Sequence, residues 1–250
     1  ETDVAVIKQE NPTRETSFKV IAGVESRDTL YSGPAGNVTV PSEVTFDGKV
    51  YKVTSIIKDA FEFNSYLASI ILPGTLNSID KEAFGDCPEL EKIEVATDNK
   101  FYSSEDGVLF NKAKDTLLAF PINNKKVAYE IPKSVRTILP NAFYSKNLKS
   151  VTIPKTVKNI GMFAFRFSTV ESVIISQGVK EIDDFAFANC SSLKNVSIPK
   201  SVNRIGMSAF LGCVSLERVM IPKGVKTIGE FAFTDCDRLK TVSIPESVTD

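Results

Sequence analysis

Histidine and tryptophan are both absent from this chain of 250 residues. Without histidine the commonest general base near neutral pH is missing, and Ser-His-Asp and Cys-His nucleophilic catalysis are excluded. The four cysteines include no Cys-x-x-Cys pair, so a zinc site lacks its ligands. Charge of one sign is also lacking. Thirty Lys and Arg face 31 Asp and Glu, for a net charge of −1, which leaves no electrostatic footprint for nucleic acid. No run of about 18 apolar residues is long enough to span a bilayer as a helix. No phosphate-binding glycine loop and no secretory leader pattern occur. The chain opens on Glu1 rather than Met, as a mature or trimmed product does. What the chain does have is 42% apolar residues, enough for a continuous core, arranged with a strict period.

The period is plainest between Leu193 and Cys236. Leu193, Val196, Ile198, Pro199, Val202, Ile205, Gly206, Ala209, Phe210 and Cys213 recur 23 residues later as Leu216, Val219, Ile221, Pro222, Val225, Ile228, Gly229, Ala232, Phe233 and Cys236. A fixed period in this range marks a solenoid whose units each contact only their neighbours. Ala-Phe pairs serve as the ruler: Ala60-Phe61, Ala83-Phe84, Ala142-Phe143, Ala164-Phe165, Ala186-Phe187, Ala209-Phe210 and Ala232-Phe233. They give seven units, with one long interruption between the second and third.

Within each unit, Leu-x-x-Val-x-Ile-Pro reads as a short strand stopped by a proline that offers no N–H. A second apolar pair follows, such as Val157/Ile160 or Val202/Ile205. The Ala-Phe segment then predicts a helical or 3-10 turn, because a regular long helix does not fit the connection. The fold class expected is a right-handed leucine-rich repeat solenoid: a parallel β-sheet with short helical or 3-10 turns, and Phe143, Phe165, Phe187, Phe210 and Phe233 stacked in one buried column. Residues 1–50 lack the repeat and are expected to form an N-terminal β cap, with strands at Phe18–Val24 and Val38–Val53 and a turn at Asp47-Gly48. Residues 51–96 hold repeats one and two. Residues 97–130 are expected to insert a β-hairpin, with strands at Gly107–Phe110 and Thr116–Phe120 and a turn at Asn111–Asp115. Residues 131–250 hold repeats three to seven and the start of an eighth, which points to a trimmed C-terminus.

The unit Leu-x-x-Val-x-Ile-Pro-x-x-Val-x-x-Ile-Gly-x-x-Ala-Phe-x-x-Cys resembles the BspA-like, or Treponema-type, leucine-rich repeat. The stretch Ser104–Asn111 resembles an insertion found in that family. Departures are small: Ser176 stands for Pro, and Asn64, Lys146 and Ser168 stand for Cys. The resemblance implies an exported protein of the bacterial surface, with some members acting as adhesins, and it brings no catalytic residue with it.

Each remaining chemical candidate has a plainer reading. Cys87, Cys190, Cys213 and Cys236 all fall four residues after the Ala of Ala-Phe. They are one repeat position, expected to be reduced and buried, and not a disulfide framework or a metal site. Glu181, Asp183 and Asp184 lie close enough in sequence for paired-carboxylate chemistry, but they occupy a solvated part of one coil. Asp98-Asn99 and Glu105-Asp106 lack the ligand spacing of a calcium loop. Lys133, Lys155, Lys200 and Lys223 follow the repeat prolines and form a solvated basic row, or one drawn to an anionic surface. No enzyme activity, cofactor or metal is expected.

The outward side of the strands remains as the candidate site. By the period of two, residues flanking the central strand Val point away from the core onto the concave sheet. They are Ser69 and Ile71, Lys92 and Glu94, Ser150 and Thr152, Ser172 and Ile174, Asn195 and Ser197, Arg218 and Met220, and Thr241 and Ser243. Solenoids bind partners on such surfaces. The function expected is a non-catalytic protein-binding or adhesion module, with a host matrix or cell-surface protein as partner. A structural spacer within a larger surface protein and a glycan-binding module are the alternatives. Neither a nucleic acid nor membrane insertion of this segment is expected.

Overall fold

A computed structural model describes residues 4–7, 19–22, 36–46, 49–56, 58 and 60–249. The turn expected at Asp47-Gly48 and the ends of the strand expected at Phe18–Val24 lie outside the described residues. The chain divides into two compact units. One comprises Glu1–Ala113 with Pro121–Asn123, and the other Lys114–Phe120 with Asn124–Asp250.

In the first unit, Gly36–Thr39, Leu67–Leu72 and Lys92–Val95 form a three-stranded parallel sheet. Parallel pairing therefore begins ahead of residue 51, inside the stretch read as a cap. Three antiparallel pairs accompany it: Val4–Ile7 with Lys19–Ala22, Glu43–Phe46 with Lys49–Lys52, and Tyr102–Glu105 with Val108–Asn111. The last of these turns through Asp106-Gly107, both at positive φ, the conformation a two-residue type I′ hairpin requires. This hairpin precedes the expected turn at Asn111–Asp115, which is also present, with Lys114 at positive φ.

The second unit carries a six-stranded parallel sheet of Ala128–Glu130, Ser150–Ile153, Ser172–Ile175, Asn195–Ser197, Arg218–Met220 and Val242–Ser243. A second parallel ladder runs through Asn159–Ile160, Glu181–Ile182, Arg204–Ile205 and Thr227–Ile228. It is built from the second apolar pair of each unit. Ile160, Ile182 and Ile205 are buried in the core, so the fold is a β-solenoid with two sheet ladders per coil. Thr116–Ala119 pairs in parallel with Thr137–Ile138.

Between the ladders the core is a column of phenyl rings. Phe143–Phe165, Phe165–Phe187, Phe187–Phe210 and Phe210–Phe233 stack at 4.5, 5.0, 5.2 and 5.3 Å between ring centres. These distances follow the strand spacing of about 4.8 Å, because each coil repeats its neighbour. Phe120 comes from a further Ala-Phe pair, Ala119-Phe120, which falls 23 residues before Ala142-Phe143 inside the stretch read as an insertion, and it extends the column at 5.2 Å from Phe143. Each buried ring contributes on the order of 1.5–3 kcal/mol.

The Ala-Phe connections are hydrogen-bonded turns, and no helix occurs among the described residues. Bonds of the i→i+3 type form, as from Ala164 N–H to the Gly161 carbonyl and from Ser168 N–H to the Phe165 carbonyl. Left-handed residues on either side of Ala-Phe then stop propagation in successive coils: Phe163 and Phe167 in one, Phe185 and Asn189 in the next, Ser208 and Gly212 after that. The N–H groups so released bond to the following coil, as from Phe165 to Ala186 and from Phe187 to Ala209, each at 2.8 Å.

Candidate functional site

The six-stranded sheet aligns its outward residues in two rows. One runs Ala128, Ser150, Ser172, Asn195 and Arg218. The other runs Glu130, Thr152, Ile174, Ser197, Met220 and Ser243. Their neighbours Val151, Val173, Val196 and Val219 are buried beneath, so the period of two holds across the sheet. Asn195, Ser197, Arg218, Thr241 and Ser243 are exposed, whereas Ser150, Thr152 and Ser172 are half-buried. Ile174 is 58% and Met220 82% exposed. They sit two coils apart with Ser197 between them, a separation of about 10 Å at the strand spacing. Thr241 lies just before its strand, Val242–Ser243.

In the first unit the same rows are Asn37, Ser69 and Lys92, and Thr39, Ile71 and Glu94. Ile71 is exposed, and Lys92 pairs with Glu94 at 3.3 Å. Ser69 departs from expectation: it is only 5% exposed, and its hydroxyl donates to the Asn37 side-chain carbonyl. The strand that covers it, Gly36–Thr39, carries no Leu-x-x-Val-x-Ile signature. Asn37, Thr39, Ala128 and Glu130 belong to the outward rows and were missed for that reason. In Val127–Ile131 the central position is Tyr129 rather than Val.

Beside the outward rows runs a line of alternating charge: Lys149, Glu171, Lys194, Glu217 and Lys240. Glu171 is held by Lys194 at 2.7 Å and Lys149 at 3.2 Å, and these two ammonium groups hold its carboxyl below the ordinary carboxylate range. Each of these residues stands one position before the first outward residue of its strand. An open recess of about 490 Å³ ends it, lined by Glu217, Arg218, Asp237, Arg238 and Lys240.

The sequence matches the BspA type leucine rich repeat region, in six copies, over residues 42–129 and 133–250. The chain belongs to the BspA-type leucine-rich repeat family. Solved structures agree on the fold. A leucine-rich repeat protein from Eubacterium ventriosum superposes with a TM-score of 0.70 at 26% identity, covering 88% of this chain and 63% of that one. A leucine rich cell surface protein from Faecalibacterium prausnitzii gives a TM-score of 0.60 at 20% identity, covering 97% and 94%. The pneumococcal vaccine antigen PcpA gives 0.56 at 17%, covering 99% and 93%. The chain thus spans less than two thirds of the length of the Eubacterium protein. A search of curated proteins returned no match.

Other candidate residues of this BspA-type chain are occupied by the repeat itself. All four cysteines are free and buried, and each thiol points at the backbone carbonyl of a phenylalanine in the preceding coil. The distances are 2.9 Å for Cys87 to Phe61 and for Cys190 to Phe165, and 3.2 Å for Cys213 to Phe187 and for Cys236 to Phe210. Burial pushes the Cys87 thiol up to about 12 and the Cys236 thiol to about 11, and raises the other two as well. Ser145, fully buried, takes the thiol position three residues before Leu148. Lys146, read as that position, is exposed, because this coil is one residue shorter between Ala-Phe and Leu. Asp183 and Asp184 grip Arg204 at 3.3 and 2.6 Å, and Asp184 also accepts the Met207 N–H. Asn99 is buried and bonds four backbone groups: the carbonyls of Pro73 and Leu76 and the N–H groups of Phe101 and Tyr102. Lys133, Lys155, Lys200 and Lys223 are exposed.

Proposed function

We propose that this BspA-type chain is a non-catalytic protein-binding module of a bacterial surface or secreted protein, and that it engages its partner through the outward face of the six-stranded sheet. The observation that carries the reading is the pair Ile174 and Met220, two exposed apolar side chains on regular strands, set among the small polar residues Thr152, Ser172, Asn195 and Ser197. Apolar anchors within a hydrogen-bonding surround are the arrangement in which a few residues dominate binding. Strand backbones hold their Cα positions rigidly, so little backbone freedom is lost on association. Arg218 adds a cation in the neighbouring row, beside the recess. Solenoids of this family are generally non-catalytic, and the cell-surface description of the Faecalibacterium neighbour fits an exported role.

The test is a binding screen of the purified chain against extracellular-matrix proteins and whole cells, repeated with Ile174→Asp and with Arg218→Glu. Both side chains are exposed, so folding is preserved. The expected result is a loss of roughly ten-fold or more in affinity, about 1.4 kcal/mol. Equal binding by the wild type and both variants removes this face from the site.

A further inference from the structure

The turns of the second unit carry a cluster that the strand-face reading does not use. Four successive coils carry two left-handed residues around Ala-Phe, and the coil of Ala142-Phe143 carries one. At the first of these positions stand Asn141, Phe163, Phe185, Ser208 and Phe231; at the second stand Phe167, Asn189, Gly212 and Asp235. Asn, Asp and Gly enter this conformation readily, whereas a bulky aromatic residue there is an outlier. One coil has phenylalanine at both, Phe163 at φ 59° and Phe167 at φ 61°. Core packing does not demand these rings. Phe165 between them is the buried one, and Phe167 is 45% exposed. Strain retained at the surface points to a role beyond folding.

The rings hold a cation. The Arg166 guanidinium lies 4.5 Å from the Phe167 ring centre and 5.2 Å from that of Phe163. Its Nε is buried without a hydrogen-bond partner, and no carboxylate pairs with it among the described residues. Phe163 stacks on Phe185 at 5.1 Å, and Tyr144 leans on Phe167 at 5.9 Å. Met162 is exposed in the same turn, and Met207 at the equivalent position two coils on. The result is an apolar platform with one uncompensated, oriented guanidinium.

We propose that the Phe163–Arg166–Phe167 platform is a second docking site, separate from the strand face, for a protein segment that presents an Asp or Glu carboxylate beside an apolar side chain. A guanidinium offers a planar fork to a carboxylate. Flanking rings fix its plane and exclude water, which strengthens the pairing. The surroundings are phenyl and thioether groups that suit apolar side chains, with little to satisfy the many hydroxyls of a glycan.

An array of short synthetic peptides, each with Glu between apolar residues, is compared with twins carrying Gln. Acidic members are expected to bind the wild-type chain roughly ten-fold more tightly than their twins and to weaken as salt rises. Binding is lost in Arg166→Gln and in Phe163→Asn with Phe167→Asn, and survives in Ile174→Asp. The Asn variants place the residue type of Asn141 and Asn189 in the strained positions, so they are expected to melt no lower than wild type. The proposal is overturned if no acidic peptide is preferred, if the platform variants keep binding, or if a polyuronate binds better than every peptide. It is equally overturned if Phe167→Asn destabilises as much as Phe165→Ala, since packing then accounts for the ring. Loss of peptide binding in Ile174→Asp alone moves the contact to the strand face and leaves that reading intact.

Discussion

Buried thiols and buried rings are the residues on which the coil-to-coil register depends. Phe187→Ala removes a ring stacked at 5.0 Å on one side and 5.2 Å on the other. It is expected to cost about 3–5 kcal/mol, read by chemical denaturation. The cysteines predict an alkaline limit. Burial favours the neutral thiol, so Cys87 moves from an ordinary 9.0 to about 12. The unfolded chain ionises first as pH rises, and it then binds fewer protons than the folded one. The contribution of each thiol is therefore full below about pH 9 and drains above it, at a limiting slope of about 1.4 kcal/mol per pH unit. Stability measured from pH 8 to 11 should fall less steeply in a variant with all four cysteines changed to Ala than in the wild type. The same burial predicts that a thiol reagent reacts with Cys190 only on unfolding.

At the scale of the element, the coil is fixed by its two strand ladders and by close backbone approach between them. Gly206 and Gly229 sit where the preceding coil passes so near that a Cβ would strike backbone atoms of Asp183 and Asp184 or of Gly206 and Met207. Gly229→Ala should force the coils apart and cost about 1–3 kcal/mol, visible as a lowered melting temperature with an unchanged circular dichroism spectrum. Strand pattern made most of each element legible: Val-x-Ile alternation names the buried set except in the last coil, where Val242 is half-buried and Ile244 exposed. It fell short at Gly36–Thr39 and Ala128–Glu130, where the buried alternation Val38/Val40 and Tyr129/Ile131 is present but the leading Leu of the unit is not. It also failed for Ser69, because burial of an outward side chain depends on which strand lies alongside.

At the scale of the molecule, repeats that touch only their neighbours make stability a sum of coil and interface terms. Those terms are apolar burial and backbone pairing. The ion pairs are exposed or half-buried at the surface, of the kind worth little, and positive and negative charges nearly balance. Raising salt from low to molar concentration should therefore leave the melting temperature almost unchanged, while any binding through Arg166 weakens. Thermal scans and binding isotherms on the same samples separate the two.

The period alone determined the solenoid, the phenyl column, the shared position of the cysteines and the outward list from Ser150 to Ser243. Each follows from repetition, since residues at one offset must share one environment when coils stack. Tertiary structure decided what repetition leaves open. It set the burial of Ser69 under Asn37 and the replacement of a thiol by Ser145 rather than Lys146. It also placed Arg166 between two strained rings. These depend on distances between coils and on backbone conformation at single turns, and a side-chain pattern does not encode either.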